Sequence, residues 1–427
     1  MPFPASNPFG AEEKAAAQRV LDSGVLSGFI GAWHSAFLGG PEVRAFEQRW
    51  AKACSTDFAI AVNSCTSGLF ACIGAAGVGP GDEVIVSPYT MSASAVAPLI
   101  FNSVPIFADI DPQTYTLDPA SIRERITPRT RAIVVVHIFG QAADMDPIMA
   151  LADEHDLVVI EDAAQAPLAT YKGRPVGTLG HMGVFSLNYH KHIHTGEGGM
   201  VTTNSPTFAE KVQLIRNHAE AVMAGKPSSD LVNMIGFNFR LGEMEAAIGA
   251  CQLAKAPELV ARRKANVAKL ESMLAGIPGL SMPVIGPAGD HVFYQHTLDF
   301  DRDAADIDRD VFVKALKAEL PVTELRESEG PILSAGYVRP LYLLPMFQSE
   351  IGYGQLQCPF KCPHYGGRAN YSKGICPNAE RAHYERVIIH EYMRPAMTET
   401  DMRDFANAVH KIAEHARELR AVGKVEN

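Results

Sequence analysis

Lys191 stands in the run Ser186-Leu187-Asn188-Tyr189-His190-Lys191-His192-Ile193-His194-Thr195-Gly196-Glu197-Gly198-Gly199. An apolar strand pattern, 183–186, ends just before it, and a glycine-rich turn follows. Glycine permits backbone conformations and close approaches that a Cβ resists. An ordinary lysine is a solvated surface charge. A lysine buried beside a cationic ring would instead have a lowered pKa and an amine free to attack a carbonyl. Asp162 comes at the end of the apolar run Leu157-Val158-Val159-Ile160, where a parallel sheet presents ligands. A helix N-cap is the plain alternative for it. Gln165 reaches the same place if the chain turns helical after Asp162. Asn63-Ser64-Cys65-Thr66-Ser67-Gly68 is a polar turn that opens a helix. The first amides of a helix lack internal partners and bind phosphate readily, though a simple capped helix has the same look. Ser186 can donate a hydrogen bond to a phosphate from its strand end. Tyr89 follows Ser87-Pro88 and could lie flat on a ring, although a lone tyrosine often only packs.

One chemistry needs all of these parts. Pyridoxal phosphate requires a lysine for an imine, a carboxylate to keep the pyridine nitrogen protonated, an anion cradle, a flat group on the ring and a contact to the 3′-oxygen. Lys191, Asp162, the turn Asn63–Gly68 with Ser186, and Tyr89 are the candidates for the first four, and Gln165 can reach the same site.

The elements around these residues alternate. Helical spacing covers 12–22 and 41–53, a strand 58–62, a helix 67–76, a strand 83–87 and a small-residue helix 92–100. Further apolar runs fall at 106–108, 132–137, 157–160 and 183–186, with a helix at 145–155. Such alternation predicts an α/β fold, a mostly parallel sheet sandwiched by helices. The second half differs. A long helical pattern spans 241–274 with a possible break at Pro257, a strand covers 293–300, the stretch 330–376 is rich in Pro, Gly and Tyr, and a helix at 399–422 closes the chain. The predicted division is a large domain, 1–252, and a smaller α+β C-terminal domain, 253–427.

These motifs resemble the DegT/StrS family of pyridoxal-phosphate-dependent sugar aminotransferases, which have the fold-type-I architecture. The most specific segments are Glu161-Asp162-Ala163-Ala164-Gln165-Ala166, the run from Ser186 to Gly199, and Gly236-Phe237-Asn238-Phe239-Arg240 with Glu243 after it. The resemblance implies that Lys191 carries the cofactor as a Schiff base and Asp162 pairs with the pyridine nitrogen. Gln165 then approaches the 3′-oxygen, Tyr89 stacks on the ring, and Ser186 with the amides at Cys65 and Thr66 holds the phosphate. It further implies that Asn238 reaches the phosphate of a neighbouring subunit in a homodimer. Cys65 departs from the family's usual glycine in the phosphate turn. The segment 28–40 is longer than in many members, and 337–376 looks like a subgroup that includes cyclitol aminotransferases.

Composition excludes other classes. The net charge is −10 with no Lys/Arg-rich run, so neither nucleic acid nor an anionic membrane surface is an expected partner. Residues 1–13 lack the pattern of a signal peptide, and no apolar run approaches a membrane span. Seven cysteines, scattered and odd in number, fit reduced thiols. A soluble cytoplasmic enzyme is the expectation. His190, His192 and His194 alternate, and Cys358, Cys362, His364 and Cys376 hint at a zinc knuckle. The first set flanks the imine lysine and the second lies in a Pro/Gly-rich loop, so no metal is expected.

Aminotransfer is the predicted activity. By the resemblance, glutamate or glutamine donates the amine, Lys191 moves the α-proton as a general base, and a keto sugar or keto cyclitol accepts. Donor and acceptor use one site in turn, which predicts ping-pong kinetics. A sugar dehydratase of this type would carry histidine at the lysine position, and a non-catalytic regulator would have lost Lys191 or Asp162. Both residues are present.

Overall fold

The computed structural model describes residues 3–4, 8–226, 230, 232–286, 288–323 and 332–423. A seven-stranded sheet forms its centre. The strands are β1 (Phe58–Val62), β2 (Glu83–Val86), β3 (Val104–Phe107), β4 (Thr130–Val136), β5 (Val158–Asp162), β6 (Met182–Ser186) and β7 (Gly199–Thr203). Their order is β1-β7-β6-β5-β4-β2-β3. Neighbours from β6 to β3 run parallel. β7 is antiparallel to both β6 and β1. The sheet is therefore mostly parallel, as the alternating pattern predicts.

The strands read as unbroken apolar runs because both faces are covered. Val84 and Val86 on β2, with Val134 and Val136 on β4, enter one buried cluster. Ile85, Ile133 and Val135 enter another on the opposite face. Alternate residues of a strand point to opposite sides, so each strand serves both layers.

A smaller antiparallel sheet lies toward the C-terminus, with β8 (Leu280–Ser281), β9 (His296–Phe300), β10 (Leu333–Ala335) and β11 (Val387–His390) in the order β8-β9-β11-β10. The Glu243–Leu274 helix joins the two regions. Its Ala246, Ala250 and Val260 pack in the large-sheet core, and its Val267, Leu270 and Leu274 pack under the small sheet. The expected break at Pro257 is absent, and the helix runs straight through. Pro257 lies on the exposed face of the helix. Buried Leu253, Ala256 and Val260 hold the other face.

The C-terminal part of the chain is shared between both regions. Leu341, Phe347, Phe360, Tyr371 and Cys376 belong to the large-sheet core. The closing helix is interrupted at His415, giving Glu399–Glu414 and Ala416–Gly423. Among the described residues, no helix is long and apolar enough to cross a membrane.

Candidate active site

Asp162 is the last residue of β5, paired with Val136 on β4 and Val184 on β6. The strand extends two residues past the end of its apolar run, and Glu161 there is fully buried and fully bonded. Glu161 accepts from His137 Nε2 at 2.8 Å and from the amides of Gly177, Leu179 and Gly180 at 2.7, 2.7 and 2.6 Å. The ring of His137 is fixed in turn, since its Nδ1 accepts the Ala143 N–H at 3.1 Å. This network anchors the strand end that presents Asp162. The Asp162 carboxylate is buried. It accepts from Ser94 Oγ at 2.6 Å and from the Ala164 amide at 3.1 Å.

Lys191 follows the end of β6, its amide donating to the Asn188 carbonyl at 2.9 Å. Burial lowers its pKa from 10.5 to about 8, while Cys65, Asp162 and Glu391 pull in the opposite direction. Burial pushes the Cys65 thiol well up, Asp162 adds to the rise, and Lys191 opposes it. Lys191, Asp162 and Cys65 therefore act on one another electrostatically, although they stand far apart in the chain.

The polar turn at Ser64 opens a helix. Ser64 caps the Cys65–Ala75 helix, its Oγ accepting the Ser67 N–H at 3.0 Å. The amides of Cys65 and Thr66 precede the first intrahelical bond. Ser186, at the end of β6, is paired with Gly199 at the start of β7. A Cβ on Gly199 would lie 2.6 Å from the Ser64 carbonyl carbon and 2.7 Å from the Cys65 nitrogen. Only glycine lets this hairpin end press against the turn, and that contact brings Ser186 to Cys65 and Thr66. The Ser186 Oγ also accepts the Asn188 N–H at 3.3 Å.

Gln165 is buried and doubly held: Oε1 accepts the Phe139 N–H at 2.7 Å, and Nε2 donates to Tyr337 Oη at 3.0 Å. Tyr89 differs from the sequence expectation of a ring lying open to a ligand. It is fully buried. The rings of Phe139, Tyr337 and His383 meet it edge-to-face at 6.2, 6.0 and 6.5 Å. Its hydroxyl accepts the Tyr337 N–H at 3.1 Å. With no exposed surface, Tyr89 packs against Tyr337. Asn238 is exposed. Its carbonyl accepts from Asn63 Nδ2 at 3.4 Å and its Oδ1 from Arg240 Nε at 2.8 Å.

Several contributors come from the C-terminal half and were not among the sequence candidates. Tyr294 lies under the Lys191 amine, Tyr337 holds Gln165, and Glu391 acts on Lys191, Tyr294 and Tyr337 alike. Ser94, on the small-residue helix, was missed as the Asp162 partner. Its only sequence signal is a hydroxyl in an otherwise apolar helix.

The alternating histidines lie in a turn, not on a strand. His192 Nε2 bonds the Val292 carbonyl at 2.9 Å, and the His194 ring meets Phe9 edge-on at 4.7 Å. Cys362 accepts from Asn102 Nδ2 at 3.7 Å, whereas Cys376 lies in the large-sheet core. Among the described residues, no group of three His, Cys, Asp or Glu side chains gathers to hold a metal ion.

The mostly parallel sheet, with Asp162 at the end of β5 and Lys191 past the end of β6, has the architecture of a fold-type-I aminotransferase. The aminotransferase from Psychrobacter cryohalolentis superposes with a TM-score of 0.81 at 30% identity, covering 97% of this chain and all of that one. The chain belongs to the DegT/DnrJ/EryC1/StrS aminotransferase family, whose profile matches residues 13–362. It is 33% identical to the spore coat polysaccharide biosynthesis protein SpsC of Bacillus subtilis over 95% of this chain and 96% of that protein. It is 40% identical to GDP-perosamine synthase of Caulobacter vibrioides over 70% of this chain and 77% of that enzyme. The protein is an enzyme that transfers amino groups, in a family whose members depend on pyridoxal phosphate.

Proposed function

We propose that Lys191 binds pyridoxal phosphate covalently and that the enzyme moves an amine from glutamate or glutamine to a keto sugar. The observation that carries this reading is the meeting of Lys191, with its pKa lowered to about 8, and buried Asp162 beside the helix-opening turn at Cys65. When bound, the cofactor supplies an electron sink for negative charge at the donor's α-carbon. Asp162 would pair with the pyridine nitrogen, its carboxylate fixed in place by Ser94 Oγ and the Ala164 amide. The amides of Cys65 and Thr66 and the Ser186 hydroxyl bind phosphate. Gln165, already fixed by Phe139 and Tyr337, has its second amide N–H for the 3′-oxygen. Tyr89 is the candidate to pack on the cofactor ring, held at its hydroxyl by the Tyr337 N–H.

Lys191 then shuttles the α-proton as a general base, a task suited to an amine that is partly free near neutral pH. Donor and acceptor occupy one site in turn, so kinetics are ping-pong. The names of the sugar-processing relatives favour a nucleotide-linked keto sugar over a free keto cyclitol as acceptor. Asn238 reaches the phosphate of a second copy in a homodimer. Exposed Met91, Val232 and Ile235 are apolar surface that such a partner would cover. Seven free thiols fit a reducing cytoplasm.

The test has two arms. Borohydride reduction and peptide mapping of the yellow holoenzyme should find the pyridoxyl group on Lys191. A donor and acceptor screen followed by mass should give an aminated keto sugar. A label on another lysine would remove the assignment of Lys191, and no amine transfer to any keto sugar or keto cyclitol would remove the activity.

A further inference from the structure

Away from the active site, one turn of the chain brings two thiols together. Cys358 and Cys362 stand at its two ends. The Lys361 N–H donates to the Gln357 carbonyl at 3.2 Å, and the Cys362 N–H to the Pro359 carbonyl at 3.3 Å. Residues four apart on such a turn rise by about 6 Å, within the limit of about 7 Å between the α-carbons of a disulfide. The turn is held on both sides. Cys358 exchanges both backbone hydrogen bonds with Tyr353, at 3.1 and 2.6 Å. Beyond Cys362, the Tyr365 hydroxyl donates to Glu83 Oε1 at 2.9 Å, at the start of β2. A Cβ on Gly81 would lie 2.8 Å from the His364 carbonyl oxygen, so the segment presses on the large domain.

The Cys362 sulfur is surrounded by donors. The His364 N–H and the Cys358 S–H donate to it, as does Asn102 Nδ2 at 3.7 Å. Hydrogen bonds to the charged form of an acid favour that form. The His364 amide first, then the Cys358 thiol, hold the Cys362 thiol below its ordinary 9.0, and the shared bond pushes Cys358 up. The other five thiols differ, since burial raises Cys54, Cys65, Cys72, Cys251 and Cys376. Cys362 is 6% exposed. Lys361, Pro363 and His364 around it are exposed, and Cys358 is partly so. The sulfur therefore lies directly beneath the surface, within reach of an oxidant hardly larger than water.

We propose that Cys358 and Cys362 form a reversible oxidation site for peroxide, in which Cys362 is oxidised first and Cys358 resolves it. The Cys362 thiolate attacks one peroxide oxygen and the O–O bond breaks, leaving a sulfenic acid and hydroxide. The hydroxide takes the Cys358 proton and becomes water. The Cys358 thiolate then attacks the sulfenic sulfur, the S–O bond breaks, and the departing hydroxide leaves as water with the proton that Cys362 had given up. Two thiols become one disulfide, and peroxide is reduced to two waters. Capture as a disulfide spares Cys362 the irreversible step to sulfinic acid. The site uses neither Lys191 nor a cofactor.

Peroxide treatment of the holoenzyme, followed by alkylation and peptide mapping by mass, tests the pair. With equimolar hydrogen peroxide, the segment carrying both cysteines should become lighter by two hydrogens, and dithiothreitol should restore it. Cys362 should react about tenfold or more faster than Cys54, Cys72 or Cys376, because thiolates react and buried structural thiols are inert. In Cys358→Ser no disulfide can form, and dimedone should trap a sulfenic acid on Cys362. In Cys362→Ser, Cys358 should stay reduced. Cys358→Ala gives the same reading if the serine variant fails to fold, and the wild-type map needs no variant. Cys362 reacting no faster than the buried thiols, or a disulfide to any other cysteine, would overturn the pair. So would Cys362 reaching sulfinic acid equally fast with and without Cys358, or one zinc per chain that is lost in Cys362→Ser.

Discussion

Lys191 Nζ lies 4.0 Å from the centre of the Tyr294 ring. The ring face attracts an ammonium, yet burial dominates and the amine's pKa falls to about 8. Tyr294 stands just ahead of β9, beyond the long helix. The reactive amine is therefore positioned by both halves of the chain.

This burial has a stability consequence in the cofactor-free protein. The lysine titrates near 10.5 when unfolded and near 8 when folded. Below pH 8 both states hold the proton and the cost of burying the cation is fully present. Between pH 8 and 10.5 the folded state has released its proton while the unfolded state retains it, so stability rises with pH. Lys191→Met removes the cost. At pH 7 it should stabilise the cofactor-free protein by on the order of 3 kcal/mol. The gain should shrink toward zero by about pH 10.5. Urea melts of both proteins at pH 7 and above pH 10 measure this, and a gain that does not change with pH would contradict it.

Asp162 is expected to act on the chemical step more than on cofactor binding. Asp162→Asn keeps the shape and removes the charge, so kcat should fall by on the order of 10²–10³-fold, with cofactor affinity changed much less. Ser94→Ala leaves the carboxylate without the 2.6 Å hydroxyl bond and should cost about tenfold in kcat. Single-turnover rates with equilibrium dialysis of the cofactor separate the two effects. Near-normal turnover in Asp162→Asn would end the assignment.

Much of this site was legible because its large-domain parts sit on strand ends and at glycines. The runs before Asp162 and Lys191 are apolar on both faces, and Gly199 marks the close approach to Cys65. Tyr294, Tyr337 and Glu391 gave no such signal. They come from segments with little periodicity and reach the site only through the packing of the two regions. The end of β5 was read short because Glu161 is charged, and sequence could not show that its charge is buried among donors. β7 was hidden in the glycine-rich turn that precedes it. Tyr89 carried the right residue type for stacking, but its burial comes from Phe139, Tyr337 and His383, all distant in sequence.

Glu161→Gln tests the anchoring network. The amide keeps one oxygen but turns an NH2 toward backbone N–H groups that need an acceptor. Breaking such a buried charged arrangement costs about 3–5 kcal/mol. The cofactor-free protein should lose about that much stability in urea, and the amides of Gly177, Leu179 and Gly180 should exchange hydrogen faster. Stability within about 0.5 kcal/mol of wild type, the usual range for a surface change, would show that the network is not anchoring the strand.

The last prediction concerns Asn238. Its loop is tied to the chain's own phosphate turn, since the Asn63 amide donates to the Phe239 carbonyl at 2.8 Å, yet its side chain is exposed. Two arrangements are therefore possible in a dimer: Asn238 serves its own site or the partner's. Mixing Lys191→Ala with Asn238→Ala subunits separates them. If Asn238 serves the partner, each heterodimer has one site with both lesions and one with neither, and two-fold symmetry allows recovery of up to about half of wild-type activity. If Asn238 serves its own site, every site keeps one lesion and no activity returns. The experiment uses an Asn238→Ala enzyme shown to be strongly impaired by itself and heterodimers isolated by paired affinity tags. Under those conditions, inactive heterodimers would refute the shared site even in a protein that is a dimer.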